Sequence, residues 1–108
     1  MEHHDLDPTE AQQLLQQDPE IRLLDVRTHP EHQSHRLAGA TLVPVQELAQ
    51  RLDELDPQQR WFVYCEHGVR SVVACQILTS SGFSDVTNIR GGMAHWAGSG
   101  LDYERGAT

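Results

Sequence analysis

The chain has 108 residues, sixteen carboxylates and eight cations, for a formal net charge of −8, and every cation is arginine. That length suits one domain, expected over residues 4–103, and the acidic balance disfavours nucleic acid and anionic membrane surfaces as partners. No stretch reaches the ~18 to 20 apolar residues of a membrane span, and the polar start Met1 to Asp5 is unlike a signal peptide, so a cytoplasmic location is expected.

In chain order, Asp7-Pro8-Thr9-Glu10 has the form of a helix start, with Asp7 as N-cap and Glu10 closing a capping box. This helix is predicted to run to about Gln17, where Asp18-Pro19 breaks it. Ile21 to Val26 is nearly continuous in apolar residues and reads as a strand covered on both faces. A short helix is predicted from Thr28 to His35, then the turn Ala38-Gly39 and a strand over Thr41 to Val43. Leu48, Leu52 and Leu55 share one helical face, which predicts a single helix from Val45 to Leu55.

Trp61 to Tyr64, aromatic and β-branched, is predicted to be the central strand, running directly into Cys65. Ser71 to Ser80 is predicted as a helix, Val86 to Ile89 as the last strand, and Gly91-Gly92 as a turn into a final helix through Trp96. The termini, Met1 to His4 and Glu104 to Thr108, are expected to be disordered. Strands that alternate with helices along the whole length predict a three-layer α/β/α domain with a mainly parallel sheet of about five strands.

Cys65 falls where a central strand ends and a helix begins, the place where open α/β sheets present their ligands. Helix-terminal N–H groups, and the fixed cation Arg70 five residues on, favour thiolate over thiol there. Gly68 permits a positive φ, so that successive N–H groups converge on one point as in an anion nest. Glu66 would oppose that cradle from inside and is expected to face solvent.

Other candidates carry weaker signals. Cys75 sits on an apolar helical stretch and reads as a core thiol rather than a resolving partner; a reducing compartment also argues against a structural disulfide. His67 stands beside the nucleophile and reads either as a proton-handling group or as a surface residue. His29, His32 and His35 recur every three residues, but a solvated helix face explains them better than a metal site. Asp25 and Arg27 are expected to pair with each other and with Glu31, and Trp61 and Trp96 to pack rather than touch substrate.

Taken together, Val63-Tyr64-Cys65-Glu66-His67-Gly68-Val69-Arg70-Ser71 resembles the active-site loop of the rhodanese family. Leu23-Leu24-Asp25-Val26-Arg27 is similar to that family's L-[IL]-D-V-R strand, and Glu31 through Ala40 to its E-[FY]-x-x-G-H-I-P-G-A segment. Gly82 to Val86 with Asn88 to Trp96 resembles its G-F-x-x-V-x-x-L-x-G-G-[IM]-x-x-W segment. His32, His35, Arg36 and Ala38 depart from the pattern, which puts the local packing of that turn in question. The resemblance implies a rhodanese-like fold and makes Cys65 the catalytic cysteine. It also implies that Arg70 holds an anionic substrate, and that the backbone from Glu66 through His67, Gly68, Val69 and Ser71 cradles a persulfide sulfur.

The implied activity is sulfur transfer from thiosulfate or a persulfide donor to a thiol or cyanide, with a protein thiol as a further acceptor and no cofactor or metal. Two alternatives come with it: a domain that binds sulfane sulfur or a partner without turnover, and a cysteine-dependent phosphatase or arsenate reductase on the same fold. Loop length speaks against the second, because Cys-x5-Arg phosphatases place their arginine one position later than Arg70, around a wider oxyanion site.

Overall fold

The computed structural model describes residues 2–106. Its centre is β5 (Trp61–Tyr64), all four residues of which are buried. A strand with no exposed face must be covered by helices on both sides. Trp61 and Val63 join one apolar cluster and Phe62 and Tyr64 the other, as the two-residue period of a strand requires.

Around β5 lie β6 (Val86–Ile89) on one side and β2 (Arg22–Asp25) on the other, with β1 (His4–Leu6) outside β6 and β4 (Thr41–Leu42) outside β2. All four pairings are parallel. Helices α1 (Pro8–Gln17) and α5 (Gly92–Gly98) cover one face through Ala11, Met93 and Trp96. Helices α3 (Val45–Leu48) and α4 (Val69–Ser80) cover the other through Leu48, Ala74, Cys75 and Leu78. This is the three-layer α/β/α arrangement expected from the alternating pattern.

The predicted capping box at Asp7 forms, and the structure adds a second one at Thr28. Asp7 caps α1 with Glu10 reciprocating, and Thr28 caps α2 (His29–Ser34) with Glu31 reciprocating. Trp61 and Trp96 lie in the core, their indole N–H groups donating to the carbonyls of Asp56 and Asp102.

Two expectations are corrected. The helix predicted over Val45 to Leu55 ends at Leu48, and a 3-10 turn follows over Leu52–Glu54. A three-residue spacing such as Leu52 to Leu55 fits a 3-10 turn as well as an α-helix, so the apolar pattern did not separate the two. The ends are ordered where main-chain pairing is available: His4 opens β1 against Thr87. Glu104–Arg105 forms β7, which pairs antiparallel with β3 (His35–Arg36). Met1, Ala107 and Thr108, also expected to be disordered, lie outside the described residues. Two of the residues that depart from the family pattern, His35 and Arg36, form one strand of this ribbon, and Arg36 donates to the carbonyls of His32 and Gly106 and lies 3.4 Å from Glu104. Among the described residues, no helix is long and apolar enough to cross a membrane.

Candidate active site

Cys65 follows the last residue of β5, and its side chain is held by what comes next in the chain. Gly68 adopts φ +95°, a left-handed conformation open to glycine, and serves as the N-cap of α4. The helix therefore starts at Val69, two residues earlier than predicted, which places Ser71 in its first turn. First-turn N–H groups have no partner within the helix. The N–H of Ser71 donates to Cys65 Sγ at 3.3 Å, and that of Gly68 does so at 3.1 Å. Cys65 is 1% exposed, so the sulfur lies at the floor of the loop.

A third contact has a fixed polarity. Asp5 on β1 is a carboxylate and only accepts, so the Asn88 amide must present its NH2 to it, at 2.9 Å. That leaves Asn88 Oδ1 facing Ser71, whose hydroxyl donates to it at 2.7 Å. With its proton committed, Ser71 Oγ offers a lone pair to Cys65, and the thiol donates across 3.4 Å.

The loop is braced from α5 as well. Met93 and Ala94 donate backbone N–H bonds to the carbonyls of Cys65 and Glu66, at 2.8 and 3.0 Å. The approach depends on Gly92, where a Cβ would collide with the Cys65 carbonyl oxygen and come within 2.7 Å of the Glu66 backbone.

Charge is arranged differently from expectation. Glu66 does not face solvent: its Oε1 accepts from Arg27 Nη1 at 3.0 Å and lies 3.8 Å from His35 Nε2. Arg27 and Asp25 are fully buried and paired through three contacts, Nε to Oδ1 at 3.0 Å and to Oδ2 at 3.2 Å, and Nη2 to Oδ2 at 2.8 Å. Burial by itself would raise the Asp25 pKa, but hydrogen bonds from Arg27 and His32 outweigh it and hold the carboxyl below its ordinary range. The guanidinium also donates to the His35 carbonyl and lies over the Tyr64 ring.

The expected Glu31 partnership with Asp25 and Arg27 is absent, because Glu31 belongs to Arg70. Nη1 and Nη2 of Arg70 grip its two oxygens at 2.7 and 2.9 Å. That grip, reinforced by the Thr28 cap, lowers the Glu31 pKa to about 2.

His32 and His35 are not on a solvated face either. His32 Nδ1 sits 2.8 Å from Asp25, in place of the aromatic residue of the family pattern, and His35 stands edge-on to Tyr103. Among the described residues, no cluster of three or more metal-ligating side chains occurs. His67 is exposed at the rim. Cys75 is a core thiol, pushed up to about 12 by burial.

Asn88, Asp5, Glu31 and Gly92 were not singled out as site residues from sequence. A signal existed for Asn88: an amide in the middle of the apolar segment Val86 to Ile89 must find a partner once the strand is buried.

Known proteins share this arrangement of sequence and fold. The rhodanese-like domain family model matches residues 7–99. A sulfurtransferase of Allochromatium vinosum is 31% identical over 98 residues, 91% of this chain and 92% of that protein. Thiosulfate sulfurtransferase GlpE of Glaesserella parasuis is 30% identical over 102 residues, 94% of each. A solved thiosulfate sulfurtransferase from Pseudomonas aeruginosa superposes with TM-score 0.86 at 34% identity, over 98% of this chain and 21% of that one. Some relatives are longer, and the chain spans 61% of the length of a matched protein from Bacillus subtilis. The chain belongs to the rhodanese-like domain family, and its similarity to sulfurtransferases points to sulfur transfer as its general chemistry.

Proposed function

We propose that residues 4–103 form a sulfurtransferase domain in which Cys65 carries sulfur as a persulfide. The observation that carries this reading is the convergence of the Gly68 and Ser71 N–H groups on Cys65 Sγ. Two amide donors on one sulfur stabilise a thiolate nucleophile, and the same loop can bind the negative charge of a terminal persulfide sulfur.

In the first half-reaction the Cys65 thiolate attacks the outer sulfur of a sulfane donor, thiosulfate or a persulfide. A sulfur–sulfur bond forms to Cys65, the donor's own sulfur–sulfur bond breaks, and sulfite or a thiolate leaves with the electron pair. In the second, an acceptor thiolate or cyanide attacks the outer sulfur of the persulfide and Cys65 leaves as thiolate. No net oxidation occurs. Glu66, His67, Gly68, Val69, Arg70 and Ser71 shape the cradle, with Arg70 tying the loop to α2 through Glu31.

Intact-protein mass spectrometry tests the reading. After incubation with thiosulfate or cysteine persulfide, the protein gains about 32 Da, one sulfur atom, and a thiol or cyanide removes it. Cys65→Ser gains nothing. A gain that survives Cys65→Ser would overturn the assignment, and a stable adduct that no acceptor removes would favour a sulfur-binding module over an enzyme.

A further inference from the structure

An anionic sulfur compound that approaches a thiolate is repelled unless a cation stands at the entrance to the loop. Two arginines beside Cys65 are committed: Arg70 grips Glu31 with both terminal nitrogens, and Arg27 is buried between Asp25 and Glu66. Arg36, Arg51 and Arg60 face carboxylates elsewhere. Among the described residues, Arg22, Arg90 and Arg105 remain outside any ion pair. Arg22 opens β2, level with Trp61 at the end of the sheet away from Cys65. Arg105 lies over the Tyr103 ring and donates to its hydroxyl.

Arg90 stands at the loop. β5 and β6 are parallel with Val63 level with Asn88, and that register, carried two residues further, sets Cys65 beside Arg90 at the usual strand spacing of about 4.8 Å. Strand pairing holds to this point, because the Arg90 N–H donates to the Leu6 carbonyl at 2.8 Å. Side chains alternate along β6: Val86 shares the apolar cluster of Cys65, Asn88 reaches Ser71 on α4, and Ile89 joins the cluster on the other face. Arg90 follows Val86 and Asn88 onto the Cys65 face.

The next residue borders the cradle itself. Gly91 N lies 3.3 Å from the point a Cβ on Gly68 would occupy, and the Gly68 N–H is one of the two that bond Cys65 Sγ. Asn88 therefore marks the floor of the site, through the Ser71 hydroxyl that touches the sulfur, and Arg90 stands about 7 Å nearer its mouth, exposed to solvent.

Resting on the persulfide mechanism above, we infer that Arg90 is the specificity-determining cation of this loop: its guanidinium receives the negative charge of the sulfur compound that approaches Cys65. Arg70, to which the family resemblance gives that part, instead ties the loop to α2. Arg90 takes no part in the bonds that form and break; it raises the local concentration of anions at the mouth and holds them there.

The test compares alkylation of Cys65 by iodoacetate, an anion, with alkylation by iodoacetamide, its neutral counterpart of similar size, in the wild type, Arg90→Gln and Arg90→Lys. The ratio of the two rates cancels any change in thiolate content or in the cradle. Arg90→Gln should lower the iodoacetate to iodoacetamide ratio about fivefold, and Arg90→Lys should keep it within about twofold of the wild type, because a positive charge remains. Sulfur loading from thiosulfate, which carries twice the charge, should fall about 25-fold in Arg90→Gln, and added salt should slow the wild type more than the variant. A ratio unchanged in Arg90→Gln, even with both rates lowered, would overturn the inference and leave the persulfide mechanism standing. A wild type that prefers the anionic alkylating agent but takes no sulfur from thiosulfate or cysteine persulfide would overturn the mechanism, and with it the sulfur compound as the anion that Arg90 receives.

Discussion

Ser71 Oγ donates to Asn88 Oδ1 at 2.7 Å, and the direction of that bond is imposed from Asp5, on the edge strand of the sheet. Ser71 is thereby an acceptor toward Cys65, with a lone pair rather than its proton facing the sulfur. In Asn88→Ala the hydroxyl loses its acceptor and can turn its proton onto the sulfur. A hydrogen bond to a charged group is worth about 1.5 kcal/mol, roughly a tenfold rise in thiolate fraction, of which lowered nucleophilicity takes back about half on a logarithmic scale. Iodoacetamide should therefore alkylate Cys65 about threefold faster at neutral pH, and a slower rate would count against the assigned bond direction. Cys75, kept protonated by burial up to about pH 12, gives no background in the folded protein.

Arg27 joins the end of β2 to Glu66, the residue after Cys65. Arg27→Met leaves the Asp25 carboxylate buried without its cation, at a cost of about 3–5 kcal/mol by urea unfolding. Asp25→Leu combined with Arg27→Met should recover part of that loss, since an apolar pair needs no compensation. A double variant as unstable as the single one would show that lost packing, rather than stranded charge, is the cause.

Two glycines of the same helix should respond oppositely to alanine. Gly92 has φ +64° and no room for a Cβ against the Cys65 and Glu66 backbone. Gly92→Ala should lower stability by at least about 2 kcal/mol and slow sulfur loading, because Met93 and Ala94 can no longer brace the loop. Gly98 is exposed, with nothing within 4 Å of the point a Cβ would occupy, and Gly98→Ala should raise stability by about 0.5–1 kcal/mol at unchanged loading rate.

The Glu31–Arg70 pair carries a pH signature. Its hydrogen bond to Arg70 lowers the Glu31 pKa from 4.5 to about 2. A depressed carboxyl stabilises the fold fully above its unfolded value, and that contribution is lost as pH falls through about 2. Because the Glu31 side chain is 30% exposed, screening limits the contribution to about 1 kcal/mol. Urea midpoints measured from pH 5 down to pH 2 should fall more steeply in the wild type than in Glu31→Gln; parallel curves would mean the pair adds nothing to stability.

Much was legible from residue order alone, and for local reasons. The helix start at Asp7 follows from capping residues that act within four positions, the one near Thr28 from a polar stretch with Pro30, and the central strand from an unbroken apolar run. The rise of Gly68 into positive φ before a helix, and with it the cradle at Cys65, belongs to the same class: backbone N–H groups converge because of what the neighbouring residues permit. Even the likeness to rhodaneses was readable, because its motifs are continuous segments.

Side-chain partnership across the chain was not readable. Whether Glu66 turned out to solvent or in to Arg27, and whether Glu31 served Arg27 or Arg70, depended on which charged ends the packed strands and helices brought within 3 Å. The Asp5 to Asn88 contact spans 83 positions and exists because β1 joins the sheet edge beside β6. A charged side chain takes the nearest opposite charge once water is removed, and nearness is a property of the folded chain. The chain sequence by itself determined that Cys65 sits in an amide cradle; the tertiary structure decided that Arg27 and Arg70 beside it are already occupied, because only folding sets Asp25, Glu66 and Glu31 against them.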